Sequence, residues 1–222
     1  MKTKKVETDY GPMTVICGDH ISEIIAEYGS YEKEYINICL GNTYKKRGIA
    51  IDVGANIGVW SMALSSNFKR ILSYEPNKIL FPILKDNVGK NVTAFNYAVG
   101  HFGGTTCIDS SKNEENYGSI PISNSGDEIQ MVTLDELAYS GEDVSFIKID
   151  VEGAEKLVIW GGKKTIMKYK PVLFFEHTRI NEFMDKMFIY EKEIREWNIF
   201  EFLLCECGYD RIIKFKSNYL AL

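Results

Sequence analysis

Asp52, Gly54, Asn56 and Gly58 stand at alternate positions in the run Ile51-Asp52-Val53-Gly54-Ala55-Asn56-Ile57-Gly58. A carboxylate, two glycines and an amide at that spacing suit a small ligand that carries both charges of an amino acid. Glycine lets the backbone press against such a ligand and present free N–H groups to its carboxylate. An acid at the end of the preceding strand, Asp52, faces the cationic side directly or through water. Glu75 follows about 20 residues beyond the glycine turn, where an acid accepts both hydroxyls of a free ribose and disfavours a 2′-phosphate. An amino-acid end joined to an adenosine ribose describes S-adenosylmethionine. A dinucleotide fits poorly, because its G-x-G-x-x-G fingerprint needs glycines where Asn56 and Val59 stand.

The elements that must position these residues alternate. Ile49–Val53 reads as a buried strand and 58–67 as its helix. Arg70–Tyr74 is a second strand that stops at Glu75-Pro76, since Pro76 suits a turn or a first helical position. A helix over 78–88 and a third strand over 92–99 come next. The Gly-, Ser- and Asn-rich stretch 103–130 breaks the alternation and is expected to be a hairpin or a substrate loop. A short strand runs into a helix at 132–137. Val144–Ile149 is the fourth strand, with a helix at 153–160 ended by Gly161-Gly162. A fifth strand is expected at 171–175, a long charged helix at 181–197 continuing toward Cys205, and an edge hairpin from 211–215 and 219–222. Strands alternating with helices predict a parallel α/β sheet. Ligands on such sheets lie beyond the carboxyl ends of the strands, so Asp150 shares an edge with Gly54 and Glu75, and Lys148 shares its side of the strand. Ahead of Ile49, short strands near 4–9 and 13–17 and helices up to residue 47 form an extension suited to a lid or cap. Residues 49–222 are therefore read as one domain, with 1–48 a cap that is not an independent domain.

A formal net charge of -5 argues against a general nucleic-acid binder. Lys163, Lys164, Lys168 and Lys170 read as a solvated helix face. Five scattered cysteines, Cys17, Cys39, Cys107, Cys205 and Cys207, are an odd number and fit free thiols in a reducing compartment. The basic start is followed by Glu7 and Asp9 where a signal peptide needs an apolar run, and no apolar stretch approaches the ~20 residues of a membrane span. A cytoplasmic protein without a membrane span is predicted, with assembly as a homo-oligomer left open.

Four blocks of this sequence resemble the FkbM family of S-adenosylmethionine-dependent methyltransferases: Ile51 to Gly58, Tyr74-Glu75-Pro76, Lys148-Ile149-Asp150-Val151-Glu152-Gly153-Ala154-Glu155 with Gly161 behind it, and Phe174-Phe175-Glu176. Asn96 to Gly100 and Thr133 to Leu137 fit the same pattern. The resemblance implies the class I methyltransferase fold, a Rossmann-like, doubly wound, mostly parallel seven-stranded sheet. It implies O-methylation of a saccharide, a glycan or a small polar metabolite. Gly54, Ala55, Asn56 and Gly58 would contact the methionine end, Glu75 beside Pro76 the ribose, and Ala98 and Val99 the adenine. Asp150 would lie near the transferring methyl. A ribose 2′-O-methyltransferase acting on RNA is the alternative, but it typically wants a Lys-Asp-Lys-Glu set, and strand five ends in Glu176. A non-catalytic binding module is a further alternative.

Methyl transfer to a hydroxyl needs alignment and a base. Asp150, Glu176 and His177 are the catalytic candidates, since a histidine titrates near neutrality and the carboxylates can orient an acceptor. Asp150 with Glu176 would also suit a divalent metal such as Mg²⁺, but further ligands are not evident, so no metal site is predicted. His101 is a weaker acceptor-site candidate. Tyr28, Tyr31 and Tyr35 are the residues of the extension able to pack over the site.

Overall fold

Burial on both faces dictates the central strands: every residue of Ile49–Val53 and Val144–Ile149 is buried, the pattern of parallel strands covered on two sides. The computed structural model describes residues 1–43, 47–108, 122–123, 126–137, 142–177 and 192–222. The chain begins with β1 (Thr3–Thr8), β2 (Gly11–Ile16), α1 (His20–Tyr28) and α2 (Lys33–Asn42). It continues with β3 (Ile49–Val53), α3 (Val59–Ser65), β4 (Arg70–Tyr74), α4 (Leu80–Asn87) and β5 (Val92–Phe95). Then come β6 (Ala98–Val99), β7 (Gly104–Ile108), β8 (Ile122–Ser123), β9 (Asp127–Val132), β10 (Val144–Ile149), α5 (Glu155–Trp160), α6 (Lys163–Tyr169) and β11 (Val172–Glu176). The last strands are β12 (Ile212–Phe215) and β13 (Asn218–Ala221).

The main sheet has seven strands in the order β5-β4-β3-β10-β11-β13-β12. The first five run parallel, and β13 and β12 join antiparallel. The sheet is thus mixed, with the expected terminal hairpin as its antiparallel edge. Ala50, Phe146, Phe174 and Leu220 face one layer, with Ile25, Ile36, Trp60 and Leu80 from α1 to α4. Ile51, Ile147, Ile149 and Phe175 face the other, with Val158 and Ile159 of α5 and Ile166 of α6.

Register brings the sequence blocks together. Val53 pairs with Tyr74 on one side and Ile149 on the other, and Ile149 pairs with Phe175. One residue further along, Glu75, Gly54, Asp150 and Glu176 lie side by side at the carboxyl edge. The order in which the chain lays down its parallel strands reverses between β3 and β10, which is where open α/β sheets form a ligand crevice.

Several elements depart from the sequence expectation. The strand at 92–99 is two strands in two sheets, because Asn96 Nδ2 donates to the carbonyls of Glu75 (2.8 Å) and Pro76 (2.9 Å) and turns the chain. β6 then joins a second sheet of order β6-β9-β7-β8, in which β7 pairs antiparallel with both β8 and β9, so the described part of 103–130 is largely strand. After β9, Thr133 Oγ1 accepts from the Glu136 N–H and Glu136 Oε2 accepts from the Thr133 N–H, capping a single 3₁₀ turn instead of opening a full helix. The helix expected over 181–197 lies mostly outside the described residues; Lys192–Glu196 is helical. It does not continue toward Cys205, because Asn198 is extended and its side chain caps Phe200 and Glu201 in a new start. Among the described residues no helix is long and apolar enough to cross a membrane.

Candidate functional site

The glycine turn after β3 is built by contact. Gly54 has φ 77°, and a Cβ there would lie 1.8 Å from the Asp150 carbonyl oxygen, so no side chain fits between β3 and β10. Asn56 takes the left-handed conformation at φ 52°, held by its own Oδ1 accepting from the Ile57 N–H at 2.7 Å. Gly58 at φ 102° brings α3 against α4, its missing Cβ 3.0 Å from Leu84 Cδ1.

Glu75 closes the turn from the neighbouring strand. Its Oε2 accepts from the Asn56 N–H and its Oε1 from the Asn77 N–H, both at 2.8 Å. Glu75 is 6% exposed. Burial pushes its pKa up to about 7, against the pull of the two N–H donors. Each oxygen keeps a second lone pair for a hydroxyl.

Lys148 ties the turn to the fourth strand from below. Its Nζ donates to the Gly54 carbonyl at 2.7 Å and lies 3.5 Å from both Asp52 Oδ1 and Asp150 Oδ2. Burial works against its charge, but Asp150, then Asp52, Glu32 and Glu75 outweigh it and raise the pKa. Asp52 is fully buried, with Ser61 Oγ donating to its Oδ2 at 2.6 Å and Ser73 Oγ next at 2.7 Å.

These groups surround a cavity that opens to solvent. Of the sequence-predicted residues, Gly54, Ala55, Asn56, Glu75, Pro76, Ala98, Val99 and Asp150 line it. Asp52 does not, because its carboxylate is turned inward to Ser61 and Lys148 behind the glycine turn. Gly58 is likewise set back in the packing against α4. Glu176 lies beside Asp150 but off the cavity wall; burial, then the Asp150 charge, raises its pKa.

His177 is a correction. Side chains alternate along a strand, so His177 points to the face opposite Glu176. Its ring sits edge-on to Phe200 at 5.7 Å and Tyr219 at 6.1 Å, in the layer of α5 and α6. The structure does not bring it to Asp150. His101 packs edge-on to Phe102 at 4.7 Å and is not a cavity residue. Of the three tyrosines, Tyr31 lines the cavity, Tyr35 packs on Phe174 and Phe215, and Tyr28 is exposed.

Sequence reasoning missed Glu32, which lines the cavity beside Tyr31. No spacing announces it: it is one of several acids in the extension, brought in by a left-handed backbone (φ 58°) ahead of α2. It also missed Asn77 and Tyr97, which adjoin blocks that were recognised and could have been found by extending them. One oxygen each of Asp150, Glu155 and Glu176 falls within 4.8 Å of the others, a spacing open to an oxygen-bound cation. Glu155 Oε1 already accepts from the Val151 N–H at 2.8 Å and the Gly153 N–H at 3.3 Å.

The methyltransferase FkbM domain model matches residues 52–211. Among solved structures, a methyltransferase FkbM from Methylobacillus flagellatus KT is 20% identical, covering 59% of this chain and 32% of its own, with a TM-score of 0.44. The chain thus spans about a third of the length of that protein. A precorrin-6y C5,15-methyltransferase from Geobacter metallireducens GS-15 is 15% identical over 88% of this chain and 92% of its own (TM-score 0.44). A tRNA (uracil-54, C5)-methyltransferase of Pyrococcus abyssi in complex with S-adenosyl-L-homocysteine is 10% identical over 100% and 43% (TM-score 0.42). Comparison with curated proteins returns no match.

Proposed function

This chain belongs to the FkbM methyltransferase family, and from that premise we propose that it transfers the methyl group of S-adenosylmethionine to a hydroxyl of a saccharide, a glycan or a small polar metabolite. The single observation that supports this most is the row Glu75, Gly54, Asp150 and Glu176 at the carboxyl edge, where the strand order reverses. We read the mixed sheet as the class I methyltransferase arrangement, with residues 1–48 as its cap.

The residues fit the cofactor. The absence of a Cβ at Gly54 lets β3 close on β10 with the turn backbone on the cavity wall, and Glu75 stands in the cavity with acceptor capacity for a ribose diol. In this reading the backbone of Gly54, Ala55 and Asn56 faces the methionine end, and Ala98 and Val99 flank the adenine. When bound, the cofactor supplies an electrophilic methyl group, and the chain supplies alignment and a proton acceptor. Asp150, on the cavity wall and paired with Lys148, takes the role nearest the reacting hydroxyl. Glu176 beside it supports that carboxylate or the acceptor. His177, whose ring lies against Phe200 and Tyr219 on the opposite face, has no part as base in this reading.

The carboxylates around the crevice favour a neutral or cationic acceptor over an RNA backbone, as the net charge of -5 does. The reading fits a soluble cytoplasmic enzyme with no membrane partner. The test is transfer of tritium from methyl-labelled S-adenosylmethionine into a panel of methyl glycosides and into bulk RNA. Label in a glycoside supports the reading; label in RNA alone overturns it in favour of ribose methylation.

A further inference from the structure

The matched family region begins at residue 52, yet Tyr31 and Glu32 stand on the cavity wall. The N-terminal segment therefore contributes to a site whose other walls come from the sheet edge. Glu32 is fixed there twice. Its backbone is left-handed at φ 58°, and its Oε2 accepts from the Trp60 indole N–H at 2.9 Å. Trp60 is itself held in the core, stacked on Phe174 at 5.1 Å and Phe146 at 6.1 Å. Among the described residues, no group donates a hydrogen bond to Oε1 of Glu32.

We propose that Glu32 is the acceptor-binding residue of this enzyme, its carboxylate receiving a hydrogen bond from a hydroxyl of a neutral or cationic pyranoside. The proposal rests on the saccharide reading given above. Position and chemistry both support it. Glu32 reaches the cavity from the N-terminal segment, near enough to Asp150 at the strand ends for that charge to act on it. A carboxylate accepts from vicinal hydroxyls in the manner of a sugar-binding acid. The charged and titratable groups around it are Asp150, Lys148, Glu176, Tyr31 and Cys39, and Lys148 is already spent on Asp52, Asp150 and the Gly54 carbonyl. A phosphate on the acceptor would therefore meet carboxylates and no uncommitted cation of this group. Tyr31 beside Glu32 supplies a flat wall against which a pyranose ring can pack. Burial, then Asp150, raises the Glu32 pKa, as a carboxylate set among acids requires.

The experiment measures binding as well as turnover. Methyl α-glucoside, methyl α-mannoside, methyl α-rhamnoside, glucosamine and glucose 6-phosphate are titrated into the S-adenosylhomocysteine-saturated protein, with saturation-transfer NMR as the readout. The proteins compared are wild type, Glu32→Gln, which keeps an acceptor for Trp60, and Glu32→Gly, which suits the left-handed backbone. The expected result is wild-type binding of at least one neutral or cationic sugar. That binding weakens about tenfold or more in both variants, the scale of losing a charge-assisted hydrogen bond. S-adenosylhomocysteine affinity, measured by calorimetry, stays within about twofold. Unchanged sugar binding in both variants would overturn the role of Glu32 and leave the saccharide reading standing. Binding of glucose 6-phosphate above the neutral sugars would overturn the charge argument and with it the proposal. Wild type that binds S-adenosylhomocysteine but none of the sugars would overturn the saccharide reading and this inference together.

Discussion

Glu75 carries the most informative titration in the molecule. Its folded-state pKa is pushed up from 4.5 to about 7, first by burial. The sign follows from linkage. A carboxyl raised on folding contributes stability below pH 4.5 and loses that contribution as pH climbs through about 7. Two ribose hydroxyls donating to it favour the ionised form, so binding and ionisation help each other. Affinity for S-adenosylmethionine is expected to rise several-fold from pH 6 to pH 8 in the wild type, in a calorimetric series at constant ionic strength, and to lose that rise in Glu75→Gln. A profile that is flat or falls with pH would contradict the assignment of Glu75 to the diol. The acids were legible in the sequence as residue types at strand ends. Their depth was not, because Asp52 goes inward to Ser61 and Lys148 only once α3 has packed behind the turn. The choice between Glu176 and His177 was legible: period-two alternation from Phe174 places Glu176 on the Phe174 side and His177 on the other.

At the level of elements, the site depends on how closely β3 approaches β10. The Gly54 position lies against the Asp150 carbonyl, and φ is positive there. Gly54→Ala combines a steric overlap with a disfavoured backbone, and about 2 kcal/mol or more of stability is expected to go. A thermal melt checks this, and a variant that melts with the wild type would mean the turn is looser than described. Strands and their helices were readable because apolar runs and glycine punctuation agree from β3 to β11. What escaped was set by single side chains acting on distant backbone. Asn96 bends the third strand by bonding carbonyls some 20 residues away, and Asn198 restarts a helix by capping its own downstream N–H groups. Neither asparagine differs in sequence from one exposed in a loop. Glu32 escaped for the same kind of reason, since its place follows from the fold of the cap.

On the scale of the whole molecule, the N-terminal segment is both wall and core. Met13, Val15, Ile16, Ile25, Ile36 and Cys39 are buried in the layer that also holds Trp60, Phe146 and Phe174. Each such side chain is worth about 1.5–3 kcal/mol when fully buried, so the rest of the chain cannot spare them. Deleting residues 1–48 is expected to give an insoluble or molten product by near-ultraviolet circular dichroism, with no cooperative melt. A folded 49–222 fragment melting like the full chain would show the cap to be dispensable. The matched family region begins at residue 52, so the recognisable blocks belong to the sheet-edge walls of the crevice, and the wall made by the N-terminal segment came from the structure.

In the proposed function, the carboxyl edge of this sheet holds S-adenosylmethionine, with the glycine turn on its amino-acid end and Glu75 on its ribose. Isothermal titration of S-adenosylmethionine into wild type and Glu75→Ala tests it most directly. One-site binding by the wild type and a loss of about tenfold or more in the variant, the scale of two hydrogen bonds to a charged group, is the predicted result, with circular dichroism confirming that the variant is folded. Absence of binding by the wild type, or equal affinity in a folded variant, would contradict it.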